Sequence, residues 1–405
     1  HAQRLFPEDG SFQDIFTIRD NGRTIVPVEI HPGEALLLYL MKDGKKRDTV
    51  QNRKSEHILS LSHRWKLTRL DPNVFLMERF RFAKGNEKLS EEEYPILAIQ
   101  SILTKEHYFG EITLESCFES EIDLDEISLV LEKAKECRIT LDEQVIDSCP
   151  TGYYRNPSWE TIRLKPLSKG VHTLRLQRFF APVERGFMPA VEMFQSLPGT
   201  ELEQILLIGN FAVHSCIEAC TPPVIRMCPH FIITGEKESC GDEIVANGYP
   251  FYAGVMSMEK RFYVGEESLA GDCVLSADAV LAGAAEVYLN GKLQGEFLWH
   301  PYELSLRGIR KGENVLEIKL YGTLRNLLGP WHRPAGEIGA AWDNDEFQNL
   351  PWLGAQTARN QFDREWYTDR IPDKPGWTES YLFLPMGIVN VQIRSRQEKI
   401  YTEVI

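Results

Sequence analysis

Apolar and polar residues alternate with a period of two along most of this chain. Val287 and Leu289 alternate with Glu286, Tyr288 and Asn290, and Leu316, Ile318 and Leu320 alternate with Glu317 and Lys319. That period places one set of side chains on a core face and the other in water, so it predicts half-buried antiparallel strands. Turn residues punctuate the pattern. Asp20-Asn21-Gly22 between Phe16–Arg19 and Arg23–Pro27 predicts a hairpin, and Asn290-Gly291 predicts another. Val28, Ile30, the Pro32-Gly33 turn and the run Ala35–Leu40 extend the first segment. Residues 1–42 therefore read as terminal strands of an upstream β-domain, and the polar, aperiodic residues 43–56 as a linker. Helix signals are scarce. One is a capping box, Ser90-x-x-Glu93, ahead of an apolar stretch from about Pro95 to Lys105.

An internal repeat organises the remainder. In the first copy a strand begins at Ile112, another at Arg138, another at Ser158, and a turn at Lys169-Gly170 leads into Val171–Leu176. The second copy has Met256, Glu286, Pro301 and Lys311-Gly312 in the same order, leading into Asn314–Ile318. The offset stays between 142 and 148 positions. Short strands with turn signals at about 8–12-residue spacing predict a jelly-roll sandwich for each copy. The expected fold class is all-β, with two tandem sandwiches over residues 57–235 and 236–405. Leu202–Val213 would close the first and Tyr381–Ile393 the second.

Composition narrows the partners. Among 405 residues, 59 are acidic and 45 basic, a formal charge of −14 that repels phosphate backbones and anionic lipid. Nucleic acid and membrane are therefore not expected partners. The eight cysteines form no CxxC pair, which argues against zinc and redox motifs. Cysteine at this frequency reads as buried free thiols, and so as a cytoplasmic protein. The first residue, His1, in place of Met reads as a chain whose preceding part has been removed.

Three groups of residues resemble a known family. Tyr288-Leu-Asn-Gly-Lys-Leu293, Pro301-Tyr-Glu-Leu304 and Gly312-Glu-Asn-Val-Leu-Glu-Ile318 resemble the galactose-binding-like sandwich of bacterial glycoside hydrolases. That module is the sugar-binding domain of β-galactosidase-like (family 2 type) and α-L-rhamnosidase-like enzymes. Gly248-Tyr-Pro-Phe-Tyr-Ala-Gly254, Leu324–His332 and Phe383-Leu-Pro-Met-Gly387 are similar to their C-terminal regions. The likeness runs from about Gly248 to Ile393 and is weaker from His57 to Val213. It implies an accessory region whose catalytic (β/α)₈ barrel, an upstream domain of the same protein, is absent from this chain. Such a barrel needs about 250 residues of alternating strand and helix, a rhythm this sequence lacks. No catalytic residue carries over. The resemblance also allows a structural calcium, although no dense Asp/Asn run marks one; no other cofactor is implied.

Candidate chemistry lies in aromatic loops. Five of the eight tryptophans fall within a long excursion, residues 323–377, rich in Pro, Gly, Asn and Asp. Flat rings stack on the C–H faces of sugars, and neighbouring acids and amides bond hydroxyls. The candidates there are Trp331, His332, Trp342, Asp343, Asp345, Trp352, Asp363, Arg364, Trp366 and Tyr367; Trp377 reads as core. Trp299, His300 and Tyr302 form a second cluster before a strand. Tyr153-Tyr154-Arg155 and Trp159 hold the matching place in the first copy and read as a structural corner. The function expected is carbohydrate recognition in support of a glycosidase. The alternative is a structural or oligomerisation scaffold. A self-contained hydrolase using Asp343, Asp345 or Glu365 would need carboxylates about 5–9.5 Å apart across a cleft.

Overall fold

In the computed structural model, the described residues are 2–6, 10–15, 17–28, 30, 36–41, 56–182, 199–221, 224–265, 272–329, 331–332 and 378–396. The chain divides into two compact units, 1–68 with 257–321 and 387–405, and 69–256 with 322–386. The repeat predicted contiguous blocks, 57–235 and 236–405; the observed units interleave.

The second unit contains a sandwich of two antiparallel layers. One sheet includes, as successive neighbours, Arg79–Lys84, Gly110–Ser120, Gly170–Phe180, Cys137–Leu141 and Gln144–Ile146. The other runs Asn156–Arg163, Ile127–Glu132, Ile205–Gly209, Asn73–Met77. The first unit repeats this order strand for strand. Its sheets run Trp65–Arg69, Val255–Val264, Gly312–Tyr321, Ala284–Leu289, Lys292–Phe297, and Glu303–Leu306, Asp272–Ser276, Gln392–Arg396, Glu56–Ser60. The all-β double sandwich expected from the sequence is thus present. The opening strands at 56–60 and 65–69, however, start the first unit rather than the second. Similarly, Tyr381–Phe383 pairs with Val224–Met227 in the second unit, while Gln392–Arg396 alone closes the first.

Period-two alternation fills each core. Ala285, Val287 and Leu289 meet Leu316, Ile318 and Leu320, all buried, while Glu286, Tyr288, Glu317 and Lys319 point outward. The Asn21-Gly22 hairpin forms as predicted, with both residues at positive φ, and Asn290-Gly291 repeats it. The strands Ala2–Phe6, Ser11–Ile15 and Leu37–Leu40 make a three-stranded sheet of their own, along which Leu37–Leu40 are exposed on both faces.

The helix occupies Ile96–Lys105, but Ser90 does not cap it. The Ser90 hydroxyl instead accepts from Phe82 N–H (3.1 Å) and donates to Glu92 O (2.8 Å), tying the turn to a strand. Pro95 stands at the N-cap, where its missing N–H costs nothing.

Two features of the second unit depart from the sequence reading. Cys216 and Cys228 form a disulfide across the hairpin of Ile217–Thr221 and Val224–Met227. That bond removes the premise of free thiols throughout, on which the expectation of a reducing compartment rests. No helix of the described residues is long and apolar enough to cross a membrane. The second departure is a charged group inside an aromatic core. Phe231 and Phe251 meet each other and the rings of Tyr381 and Phe383 edge to face at 5.0–6.2 Å, Tyr381 and Phe383 lie nearly parallel at 6.0 Å, and Trp331 is 6.1 Å from Tyr381. Into this cluster comes Glu78, 3% exposed. Its carboxylate accepts from the Tyr381 hydroxyl and lies 3.0 Å from His332 Nε2; His332 Nδ1 is 2.9 Å from Thr378 O. Burial raises the Tyr381 hydroxyl well above the ordinary phenol range, so it stays a donor.

A buried carboxyl group satisfied by named partners loses much when one is removed. His332→Ala should cost roughly 3–5 kcal/mol in urea unfolding, and Tyr381→Phe about 1–3 kcal/mol. An equal midpoint for both variants and the parent protein would show that the cluster contributes nothing. In alkylation without reductant, Cys117 and Cys149 are expected to react because their thiols are exposed. Cys216 and Cys228 should react only after reduction; labelling of both beforehand would disprove the bond.

Candidate functional site

The sequence-predicted site residues separate into three groups. Trp342, Asp343, Asp345, Trp352, Asp363, Arg364, Trp366 and Tyr367 lie outside the described residues, as does Trp377. Trp331 and His332 belong to the core: they are 0% and 1% exposed, so neither offers a ring face to solvent. Trp331 Nε1 donates to Asn326 O (2.8 Å), and Asn326 in turn holds Leu384 through two hydrogen bonds. Polar neighbours in sequence suggested exposure. In the fold Asn326 satisfies the indole, Glu78 and Thr378, distant in sequence, meet the imidazole, and both rings are covered.

The third group, Trp299, His300 and Tyr302, is brought together at one end of the first unit's sandwich. The loop joins Lys292–Phe297 to Glu303–Leu306 and thus passes from one sheet to the other. Phe297, 2% exposed, sits in the core and meets the Tyr302 ring edge to face at 5.8 Å. The Tyr302 ring lies 4.2 Å from that of His300, and Tyr302 O accepts the Ala277 N–H (3.0 Å). Pro301, after a cis peptide bond, turns the chain so that Glu303 N–H donates to Pro301 O (2.9 Å). The loop is therefore anchored from a core ring outward. Trp299 ends this series at 44% exposed, and its indole N–H has no partner among the described residues.

Polar groups stand on the turn to which the loop is bonded. Asp278 follows Ala277, whose N–H is bonded to the loop; its carboxylate accepts from Asn390 Nδ2 (2.7 Å), and both residues are exposed. Asp278 N–H donates to Val389 O (2.9 Å), and Asn390 has the positive φ of a turn. Arg394 lies 3.6 Å from Glu303, across the intervening strand Asp272–Ser276. An exposed indole, a fixed tyrosine, a carboxylate and an amide can stack one sugar face and bond its hydroxyls. Sequence reasoning found the aromatic members from their clustering before a strand. It missed Asp278 and Asn390, which are single residues on distant turns joined only by the register of Ala279–Leu281 with Gly387–Val389.

Among the described residues, no group of three or more His, Cys, Asp or Glu side chains is placed to hold a metal ion.

No protein-family model matches the chain, and no curated protein matches it in sequence. Among solved structures, it is similar over 62% of its length to 36% of a GH2 β-galacturonidase from Eisenbergiella tayi, at 11% identity and a TM-score of 0.25. A rhamnosidase from Novosphingobium sp. PP1Y aligns over 82% of this chain and 25% of its own, at 15% identity and a TM-score of 0.24. A β-glucuronidase from Ruminococcus gnavus aligns over 66% and 43%, at 10% identity and a TM-score of 0.22. The chain thus spans little more than a third of the galacturonidase.

Proposed function

We propose that this chain is a non-catalytic carbohydrate-binding region that serves a glycoside hydrolase, with a glycan site at Trp299. The observation that carries the reading is the loop itself. A half-exposed indole sits on a loop that Tyr302 anchors against the core ring of Phe297, and the same loop is bonded to the turn that carries a paired carboxylate and amide. Leaving a large ring exposed gains nothing for folding, and fixing its neighbours in advance lowers the entropy cost of binding. The glycan would stack on Trp299 and bond Asp278 and Asn390, and a catalytic domain elsewhere in the same protein would act on it.

The scaffold reading has its own support at a different place. The residues on either side of 333–377 are locked into the core: Thr378 N–H donates to His332 O (2.9 Å) and Leu382 N–H to Trp331 O (2.7 Å). Those two rings serve folding, and the proposal does not use them.

Tryptophan fluorescence during titration with rhamnose, galactose, galacturonate and short plant oligosaccharides tests the reading. A saturable change is expected, weakened by roughly 1–3 kcal/mol in Trp299→Ala. An unchanged affinity in that variant would remove the site, and no response from the parent protein at tens of millimolar would favour the scaffold.

A further inference from the structure

The loop of the second unit that matches Trp299–Tyr302 is built differently, and its chemistry is more than a corner. Gly152–Tyr154 and Asn156–Arg163 form a hairpin with a bulge between Tyr153 and Tyr154, and Arg155 at its tip takes a positive φ of 61°. Asn156–Arg163 holds the sheet position that Glu303–Leu306 holds in the first unit. Tyr154 and Trp159 stack with rings 13° from parallel, and Tyr154 is buried at 6% exposed, whereas Tyr153 is 65% exposed. The alternation of the strand turns Tyr154 into the core and leaves Tyr153 in water.

Arg155 is held from two sides. Its guanidinium lies 5.4 Å from the centroid of the Tyr154 ring, and Nη2 lies 3.1 Å from Asp71 Oδ1. Asp71 is fixed in turn: Oδ2 accepts the Val255 N–H (2.8 Å), and its carbonyl accepts Arg69 Nη1 (2.8 Å). Gly254 makes room for this, because a Cβ there would come within 2.6 Å of Asp71 Oδ2 and 2.5 Å of the Tyr252 hydroxyl. The Arg155 and Asp71 side chains remain 30% and 28% exposed, so their polar edges reach water. Asp71 engages only part of the Arg155 donor fork.

We infer that Tyr153, Arg155 and Asp71 form a second carbohydrate subsite, selective for a neutral sugar that presents vicinal hydroxyls. A fixed donor fork beside a fixed acceptor matches two adjacent hydroxyl groups, one accepting from Arg155 and the other donating to Asp71. Tyr153, two residues along the same hairpin, supplies the ring face. Charge decides between neutral and anionic ligands. Asp71 already neutralises Arg155, and the chain as a whole carries −14, so a carboxylate on the sugar finds no unbalanced cation here. The site is independent of Trp299, and the test is arranged to keep the two apart.

The experiment is calorimetry on the full chain carrying Trp299→Ala, titrated with methyl α-L-rhamnoside and methyl β-galactoside, and with the corresponding galacturonoside. Saturable binding of a neutral glycoside should persist in that background. Adding Tyr153→Ala or Arg155→Lys should weaken it by roughly tenfold or more, with the thermal midpoint unchanged because both residues reach solvent. The galacturonoside should bind more weakly than the galactoside. Loss of all binding in Trp299→Ala alone would overturn this subsite while sustaining the first. Indifference to Tyr153→Ala and Arg155→Lys, or a preference for the galacturonoside, would overturn it as well.

Discussion

The first unit depends on one pairing of distant segments. Gln392–Arg396 must lie between Asp272–Ser276 and Glu56–Ser60, with Ile393 opposite Leu59 and Leu275 on either side. Without it the sheet would split into two strands and an isolated edge, and the apolar residues of the facing layer would be left in water. The chain therefore leaves the first sandwich after Trp65–Arg69, builds almost the whole second unit, and returns at Val255–Val264. The detour starts and ends at one place: Leu70 N–H donates to Val255 O (3.0 Å), and Gly322 N–H donates to Gly254 O (3.0 Å). Closing a long loop costs only slightly more than closing a short one, about 0.6 kcal/mol per doubling. An insertion of domain size between two strands is thus thermodynamically mild once its ends are held together.

The two sandwiches share a corner whose residues differ while its hydrogen bonds agree. In the first unit Asn290, at positive φ, accepts the Val315 N–H on Oδ1 (3.0 Å), and buried Asn314 returns Nδ2 to Arg310 O (2.7 Å). The two amides bond each other at 3.0 Å. In the second unit Asp142, also at positive φ, accepts the Thr173 N–H (2.9 Å), and buried His172 bonds Asp142 (2.7 Å) and Ser168 O (2.8 Å). Each corner satisfies the backbone where one strand ends and the next begins. The requirement is geometric, a short polar side chain at a left-handed turn facing a ring or amide, so Asn–Asn and Asp–His both meet it. This is why the repeat survives in strand order and spacing when residue identity has drifted.

Period-two alternation, the Asn-Gly turns and the repeat made the double sandwich legible in the sequence. Its partition was not. Glu56–Ser60 and Trp65–Arg69 have the same local pattern as Asn73–Met77 and Arg79–Lys84, and adjacency along the chain favoured the wrong sandwich for them. Pairing across hundreds of residues leaves no local mark. The capping box failed for a similar reason: Ser90 has a strand N–H, that of Phe82, within reach, and a tertiary partner took the hydroxyl that a local rule would assign to the helix. The Cys216–Cys228 link was hidden as well, because spacing alone does not say that a hairpin will place those Cα atoms 5.4 Å apart.

The tryptophans carry the same lesson in sharper form, since burial rather than composition decides what a ring can do. Trp331 and Trp299 both stand beside a histidine in a loop rich in turn residues. Trp331 accepts the Leu382 N–H and its ring lies against the aromatic core at Tyr381, and its own N–H is taken by Asn326. Trp299 is followed by Pro301 and a strand whose first inward ring is Tyr302. Phe297 and Tyr302 meet edge to face at the end of that sandwich, and the indole of Trp299 stays outside at 44% exposure. In the second unit Tyr154 turns inward and stacks on Trp159 while its strand neighbour Tyr153 stays in water. Each sandwich thus exposes an aromatic ring on the segment leading into its corresponding strand, Glu303–Leu306 or Asn156–Arg163, close in sequence to residues fixed by tertiary hydrogen bonds or ion pairs.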